Sequence, residues 1–140
     1  MPKSYVKRIQ NAQIYDLVVK TPVDDAPQLS SRLGNRVLLK REDLQPIFSF
    51  KLRGAYNKML SLSRAELDKG VIAASAGNHA QGLAMAANKI GADAIIVMPT
   101  TTPQIKVNAV KSLGATVFLE GDSYDEASDY AQRLVIEKGM

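Results

Sequence analysis

The stretch Val71-Ile72-Ala73-Ala74-Ser75-Ala76-Gly77-Asn78-His79-Ala80-Gln81-Gly82 passes from an unbroken apolar run, through a small polar turn, into a helical pattern. Two further apolar runs follow, Ala94-Ile95-Ile96-Val97-Met98 and Thr116-Val117-Phe118-Leu119. None alternates with polar residues, which suits strands of a parallel sheet covered on both faces. The runs begin roughly 22 residues apart, the length of a strand, a turn, a helix and a turn. The intervening patterns predict helices over about Asn78–Lys89 and Pro103–Leu113. They end in Ile90-Gly91-Ala92 and Leu113-Gly114-Ala115, with glycine where a helix exit needs positive φ. A last helix is expected over Tyr124–Lys138, capped by Asp122-Ser123. The fold class is therefore α/β, an open parallel sheet with helices on both faces and right-handed crossovers.

In such sheets ligands bind at the carboxyl ends of strands, and a helix start there attracts anions. Ser75 and Asn78 add side-chain donors, and Gly77 permits close backbone approach. The turn reads as a seat for a carboxylate or phosphate. The plain alternative is an ordinary strand-to-helix turn, with Asn78 as cap and His79 incidental. Gly77 and Gly82 have the spacing of a P-loop, but Leu83-Ala84 stands where lysine and a hydroxyl residue are needed. The dinucleotide pattern G-x-G-x-x-G fails at Ser75. A nucleotide-binding α/β domain is argued against on both counts.

Upstream, Ser49-Phe50-Lys51-Leu52-Arg53-Gly54-Ala55 opens another helix, running to about Leu62. Ser49 is the expected N-cap. Leu52, Ala55, Tyr56, Met59 and Leu60 form its apolar stripe, and Lys51 flanks that stripe. By itself this is a solvated lysine on a first turn. The chemical alternative is an amine whose ammonium form is disfavoured by the helix dipole and by burial, as a Schiff-base lysine requires. Before it, Arg36–Lys40 is a short strand and Arg41-Glu42-Asp43 its charged exit. Pro22–Asn35 is loop-like, with a helical turn near Leu29–Leu33. Tyr5–Val18 has helical spacing and predicts one amphipathic surface helix. After the lysine helix, Ser63 and Glu66 form a capping-box pair for a short helix ending at Gly70.

With 140 residues, 46% of them hydrophobic, the chain can build a core of one domain or part of a larger one. Eighteen basic residues are dispersed among fourteen acidic ones, for a net charge of +4. No basic run interleaved with aromatics points to nucleic acid. There is no cysteine and a single histidine, so disulfides, thiolate sites and multi-histidine metal clusters are excluded. No apolar run approaches the roughly 20 residues that span a bilayer. The start has no apolar signal-peptide core. A cytoplasmic protein with no membrane or nucleic-acid partner is the expectation.

Taken together, the Lys51 heptapeptide and the Ser75–Gly82 turn resemble the fold-type II pyridoxal phosphate enzymes, and among them the biosynthetic threonine dehydratases. The resemblance extends through Val37-Leu38-Leu39-Lys40-Arg41-Glu42-Asp43-Leu44-Gln45-Pro46, Ile47-Phe48 and Ile95-Ile96-Val97-Met98-Pro99, so it covers nearly the whole chain. It implies the tryptophan synthase β-like fold, with residues 1–70 in the larger lobe and 71–140 in the smaller. The glycine-rich phosphate loop, the rest of the catalytic domain and the regulatory domain would lie beyond residue 140. The implied cofactor is pyridoxal 5′-phosphate. Lys51 would form the Schiff base and take the substrate Cα proton. Phe50 would pack on the cofactor ring, and Asn78 would bond its 3′-oxygen. Ser75, Gly77, Asn78 and His79 would hold the substrate carboxylate. The implied activity is β-elimination from threonine, and from serine, giving 2-oxobutanoate or pyruvate and ammonia, the first step of isoleucine biosynthesis. The full-length family is expected to be homo-oligomeric, and this chain alone to bind the cofactor poorly and to be inactive. Alternatives are a non-catalytic lobe or interaction module, another lyase, or a serine racemase. Racemases of this type carry a serine where Ala76 stands, and a methyl group cannot carry a proton.

Overall fold

A computed structural model describes residues 3–140; Met1 and Pro2 lie outside them. The elements run α1 (Lys3–Gln10), β1 (Val23–Asp25), α2 (Pro27–Leu33), β2 (Leu38–Lys40), a 3-10 turn (Glu42–Leu44), α3 (Lys51–Leu60) and α4 (Arg64–Leu67). Then come β3 (Val71–Ala74), α5 (Asn78–Ile90), β4 (Ala94–Met98), α6 (Gln104–Ser112), β5 (Thr116–Leu119) and α7 (Tyr124–Lys138).

The three apolar runs form one parallel sheet in the order β3-β4-β5. Val71 pairs with Ala94 and Ala74 with Val97; Ile95 pairs with Thr116 and Met98 with Leu119. Side chains alternate between two cores, as the pleat requires. Val71, Ala73, Ala94, Ile96, Met98 and Val117 pack with residues of α3, α5 and α6. Ile72, Ala74, Ile95, Val97 and Phe118 pack with Ala127, Ala131 and Leu134 of α7. Helices thus cover both faces, which is why these strands needed no polar side. The fold is the α/β parallel arrangement expected from the sequence.

The first core also takes Leu52, Tyr56 and Met59 of α3, which lie against Ala80, Leu83, Ala84 and Ala87 of α5. Leu60, assigned to the same stripe, is exposed. Tyr56 is buried but its hydroxyl donates to Asp16 Oδ2 at 2.7 Å, so the polar end is satisfied.

The front of the chain departs from expectation. The single helix predicted over Tyr5–Val18 stops at Gln10. The Gln13 amide donates to the Asn11 carbonyl, taking an acceptor that a continuing helix would have used. Ile14 and Val18 then reach the core from a turn rather than a helix. The loop expected over Pro22–Asn35 contains strand β1, paired antiparallel to β2 with Val23 opposite Lys40. Its helical turn is a full two turns, Pro27–Leu33, closed by Gly34 at φ 60°. Among the described residues no helix is long and apolar enough to cross a membrane.

Candidate functional site

Lys51 is the first residue of α3. The chain reaches it through consecutive turns, in which the Phe48 amide donates to the Gln45 carbonyl at 2.8 Å and burial alternates: Gln45, Ile47 and Ser49 are buried, while Phe48 and Phe50 are 79% and 59% exposed. Phe48 is the one described non-glycine residue with positive φ, at 55°. Side chains adopt that region at a cost, so the three buried neighbours must hold the backbone there. Ser49 does not act as the expected N-cap. Phe50 already has helical φ and ψ, and the Ser49 Oγ accepts instead from the Lys51 amide at 3.3 Å. The Lys51 side chain is exposed and its Nζ lies 5.3 Å from the Phe50 ring centroid.

A polar cluster braces this entry. Arg53, two residues into the same turn, donates from Nε to Glu42 Oε2 and from Nη2 to Glu42 Oε1, both at 2.8 Å. Nη2 also reaches the Val19 carbonyl at 3.1 Å. Glu42 further accepts from Thr21 Oγ1 at 2.6 Å and Gln45 Nε2 at 3.2 Å. Gln45, 1% exposed, pairs with both polar groups of the Val19 peptide, at 3.0 and 2.8 Å. The Arg53 guanidinium, helped by the Thr21 hydroxyl, lowers the Glu42 carboxyl from 4.5 to about 2 despite its partial burial.

The second half of the site lies where β3 passes into α5. The Ser75 amide extends the sheet by donating to the Val97 carbonyl at 3.0 Å. Gly77 is the N-cap by geometry and no side chain caps α5. Asn78, expected as the cap in the plain reading, is instead the first helical residue and is exposed. The first amides of the helix are therefore left for an external acceptor. The Ser75 hydroxyl accepts only a long bond from the Gly77 amide, at 3.4 Å. A Cβ built on Gly77 would meet nothing within 4 Å, so the turn faces open space.

The two halves meet through Gly82. A Cβ there would lie 3.2 Å from the Lys51 carbonyl oxygen and 3.3 Å from the Leu52 nitrogen. Asn78 stands four residues before Gly82, on the same helix face and one turn nearer the α5 start. Lys51, Phe50, Ser75, Gly77, Asn78 and His79 are thus brought to one region. His79 registers this electrically: loss of solvent lowers its pKa, and the positive charge of Lys51 lowers it further. A cavity of about 430 Å³, lined by Tyr5, Ile9, Tyr15, Arg53 and Gly54, includes none of these six residues.

Reading the sequence alone missed Glu42, Gln45, Arg53 and Gly82. Gln45 could have been found as a polar residue in the buried register of 45, 47 and 49. Gly82 could have been found as a glycine inside a helix, which indicates a close backbone contact.

The comparisons with known proteins fit this geometry. Residues 14–140 match the model of the family described as "Pyridoxal-phosphate dependent enzyme". The chain belongs to that family. It is 58% identical over 135 residues to "Threonine dehydratase 1 biosynthetic, chloroplastic" of Solanum lycopersicum, covering 96% of this chain and 22% of that protein. The solved structure of the processed form of threonine deaminase isoform 2 from the same plant superimposes with a TM-score of 0.93 at 53% identity, over 98% of this chain and 38% of that one. Maize serine racemase superimposes with a TM-score of 0.90 at 33% identity, over 96% of this chain and 41% of that one. The chain spans about a quarter of the length of the curated relatives it matches. Family membership establishes the fold-type II assignment and pyridoxal phosphate as the family's cofactor. The expectation of a cytoplasmic protein is overturned: similar relatives are named chloroplastic or mitochondrial. That expectation rested on the lack of an apolar signal, and organelle transit peptides are amphipathic and need none.

The residues present fit the cofactor. An amine without an ion-pair partner among the described residues, an aromatic ring beside it and an uncapped helix start facing open space are what an aldehyde, its ring and an anion need.

Proposed function

We propose that this chain supplies the lysine helix and the carboxylate turn of a pyridoxal phosphate-dependent threonine dehydratase. The supporting observation is the backbone contact of Lys51 with Gly82, which sets an exposed amine, without an ion-pair partner among the described residues, beside the uncapped start of α5. Bound there, pyridoxal phosphate supplies the electron sink that makes a Cα proton of an amino acid removable. Lys51 would hold the cofactor's aldehyde and would serve as the base for the substrate Cα proton. Phe50 would flank the cofactor, and Asn78 would offer it an amide donor. Ser75, the Gly77 backbone, Asn78 and His79 bind and orient the substrate carboxylate, using donors that the helix start leaves free. Departure of the β-hydroxyl as water, followed by hydrolysis, releases 2-oxobutanoate from threonine, or pyruvate from serine, with ammonia. Residues 1–70 would belong to the larger lobe and 71–140 to the smaller, within a homo-oligomeric full-length enzyme at the entry of isoleucine biosynthesis. The word biosynthetic in the relatives' names supports that placement.

The likeness to a serine racemase supports a second reading, racemisation. Ala76 weighs against it, because no protonable group stands there. The test is Lys51→Ala in the full-length protein. Ammonia release from threonine should fall by about 10³-fold, within the range for loss of a positioned base, with the melt unchanged. Retained activity in a folded variant overturns the assignment.

A further inference from the structure

The geometry points to Gly82 and the Glu42–Arg53 pair as positioning residues that grip the main chain at Lys51 and fix where its amine stands relative to the turn at Ser75–His79. This rests on the reading of Lys51 as the lysine that holds the aldehyde.

Gly82 is not a flexible joint, because it lies inside α5. Its role is spatial. An added Cβ would sit 3.2 Å from the Lys51 oxygen, 3.3 Å from the Lys51 carbonyl carbon and 3.3 Å from the Leu52 nitrogen. All three are backbone atoms, so no side chain can turn aside. A methyl group there forces α3 and α5 apart by a few tenths of an ångström, and the shift is delivered to the peptide that carries the Lys51 side chain. Asn78 moves with α5 and Lys51 with α3. Gly54, on the first turn of α3, makes the contrast: a Cβ there meets nothing within 4 Å.

Arg53 provides the second hold. Its two-pronged bond to Glu42 and its bond to the Val19 carbonyl tie the first turn of α3 to two segments remote in sequence. Glu42 in turn is locked by Thr21 and by the buried Gln45, so it cannot follow if the helix rotates. Lysine at position 53 keeps the charge but cannot donate as a planar fork. The pair and the glycine act on the same turn from different elements, which makes the lysine's origin a fixed point.

The experiment treats the full-length protein with pyridoxal 5′-phosphate and borohydride and maps the phosphopyridoxyl group by peptide mass spectrometry. Lys58, exposed on the same helix, is the internal reference. Amide hydrogen exchange over residues 50–54 is read in parallel. Gly82→Ala should lower the Lys51 to Lys58 ratio by about 10-fold, the scale of a sub-ångström misplacement, and speed exchange at residues 51–53. Gly54→Ala should leave both unchanged. Arg53→Lys should lower the ratio less than Arg53→Ala, a graded rescue that simple loss of packing would not produce. A folded Gly82→Ala protein with the wild-type ratio and exchange overturns the proposal. If Gly82→Ala does not fold, Arg53→Lys and Glu42→Gln decide, and wild-type values in both overturn it. If the unaltered full-length protein shows no preference for Lys51 over Lys58, the aldehyde-lysine reading fails instead. The grip is then judged by exchange alone, and unchanged protection at residues 51–53 in Gly82→Ala overturns it.

Discussion

Of the three helices that follow the carboxyl end of a parallel strand, α5 and α7 have first turns built in opposite ways. At α7, Ser123 accepts from the Glu126 amide at 3.2 Å, and the Glu126 carboxylate accepts from the Asp122 and Ser123 amides at 2.6 and 3.2 Å. Thr100 closes the turn by donating to Asp122 at 2.7 Å. At α5 no side chain caps the helix, and the Ser75 hydroxyl accepts only a 3.4 Å bond from the Gly77 amide. Same sheet, same strand end, same helix dipole: only the α7 start has used up its donors. A helix start that satisfies itself is part of the scaffold, whereas one left open can take an anion. The α3 start is a third solution, uncapped but braced from outside by Glu42.

Breaking the brace should have the largest effect. Glu42 sits at about 2 when folded and near 4.5 when free, so its ion pair stabilises the fold above pH 4.5. That contribution, up to about 3 kcal/mol, is lost as pH falls from 4.5 towards 2. Denaturant melts between pH 7 and 2.5 should show the loss, and Glu42→Gln should flatten the profile in that window. Next, Asn78→Ala at the open start should weaken substrate or carboxylate binding by about 10- to 100-fold, the worth of a charge-assisted hydrogen bond, while moving the melt little. A large drop in stability with unchanged binding would put α5 in the same class as α7. Ser123→Ala should do the reverse, costing about 1 kcal/mol in chemical denaturation with binding unaffected. Phe48→Gly should raise stability by up to about 1 kcal/mol, because it removes the left-handed strain at φ 55°. The smallest effect belongs to His79. Its pKa is lowered in the fold, so it favours the folded state above its free value of 6.5 and opposes it below. His79→Gln should remove a shallow slope in stability between pH 7 and 5.

The regular half of this design was readable in advance. Unbroken apolar runs such as Ala94–Met98 suit a strand covered twice, and the glycines at 91 and 114 do adopt positive φ. The capping box at Ser63 and the cap at Ser123 are local, and both are present, the second as a full box with Glu126. What could not be read depends on partners distant in sequence. Strand β1 is only Val23-Asp24-Asp25, a poor strand composition, and it is held by Arg36 on Asp25 and Arg41 on Asp24. The left-handed Phe48 has no local signal, since it is imposed by the burial of Gln45, Ile47 and Ser49. The site divides in the same way. Lys51 and the Ser75–His79 turn stand out as motifs, but Glu42 reads as part of a charged strand exit until Arg53 is seen beside it.

The composition of α5 sets a limit on how this molecule can change. Its buried face is made of Ala80, Gly82, Ala84, Ala86 and Ala87, with Leu83 as the one large side chain. These small residues make the helix a thin spacer between α3 and the sheet, and every larger substitution thickens it. New specificity in a lineage built on this frame must therefore arise in the loops that face the ligand, where volume is free. The spacer itself is the part of the architecture least able to accept added volume.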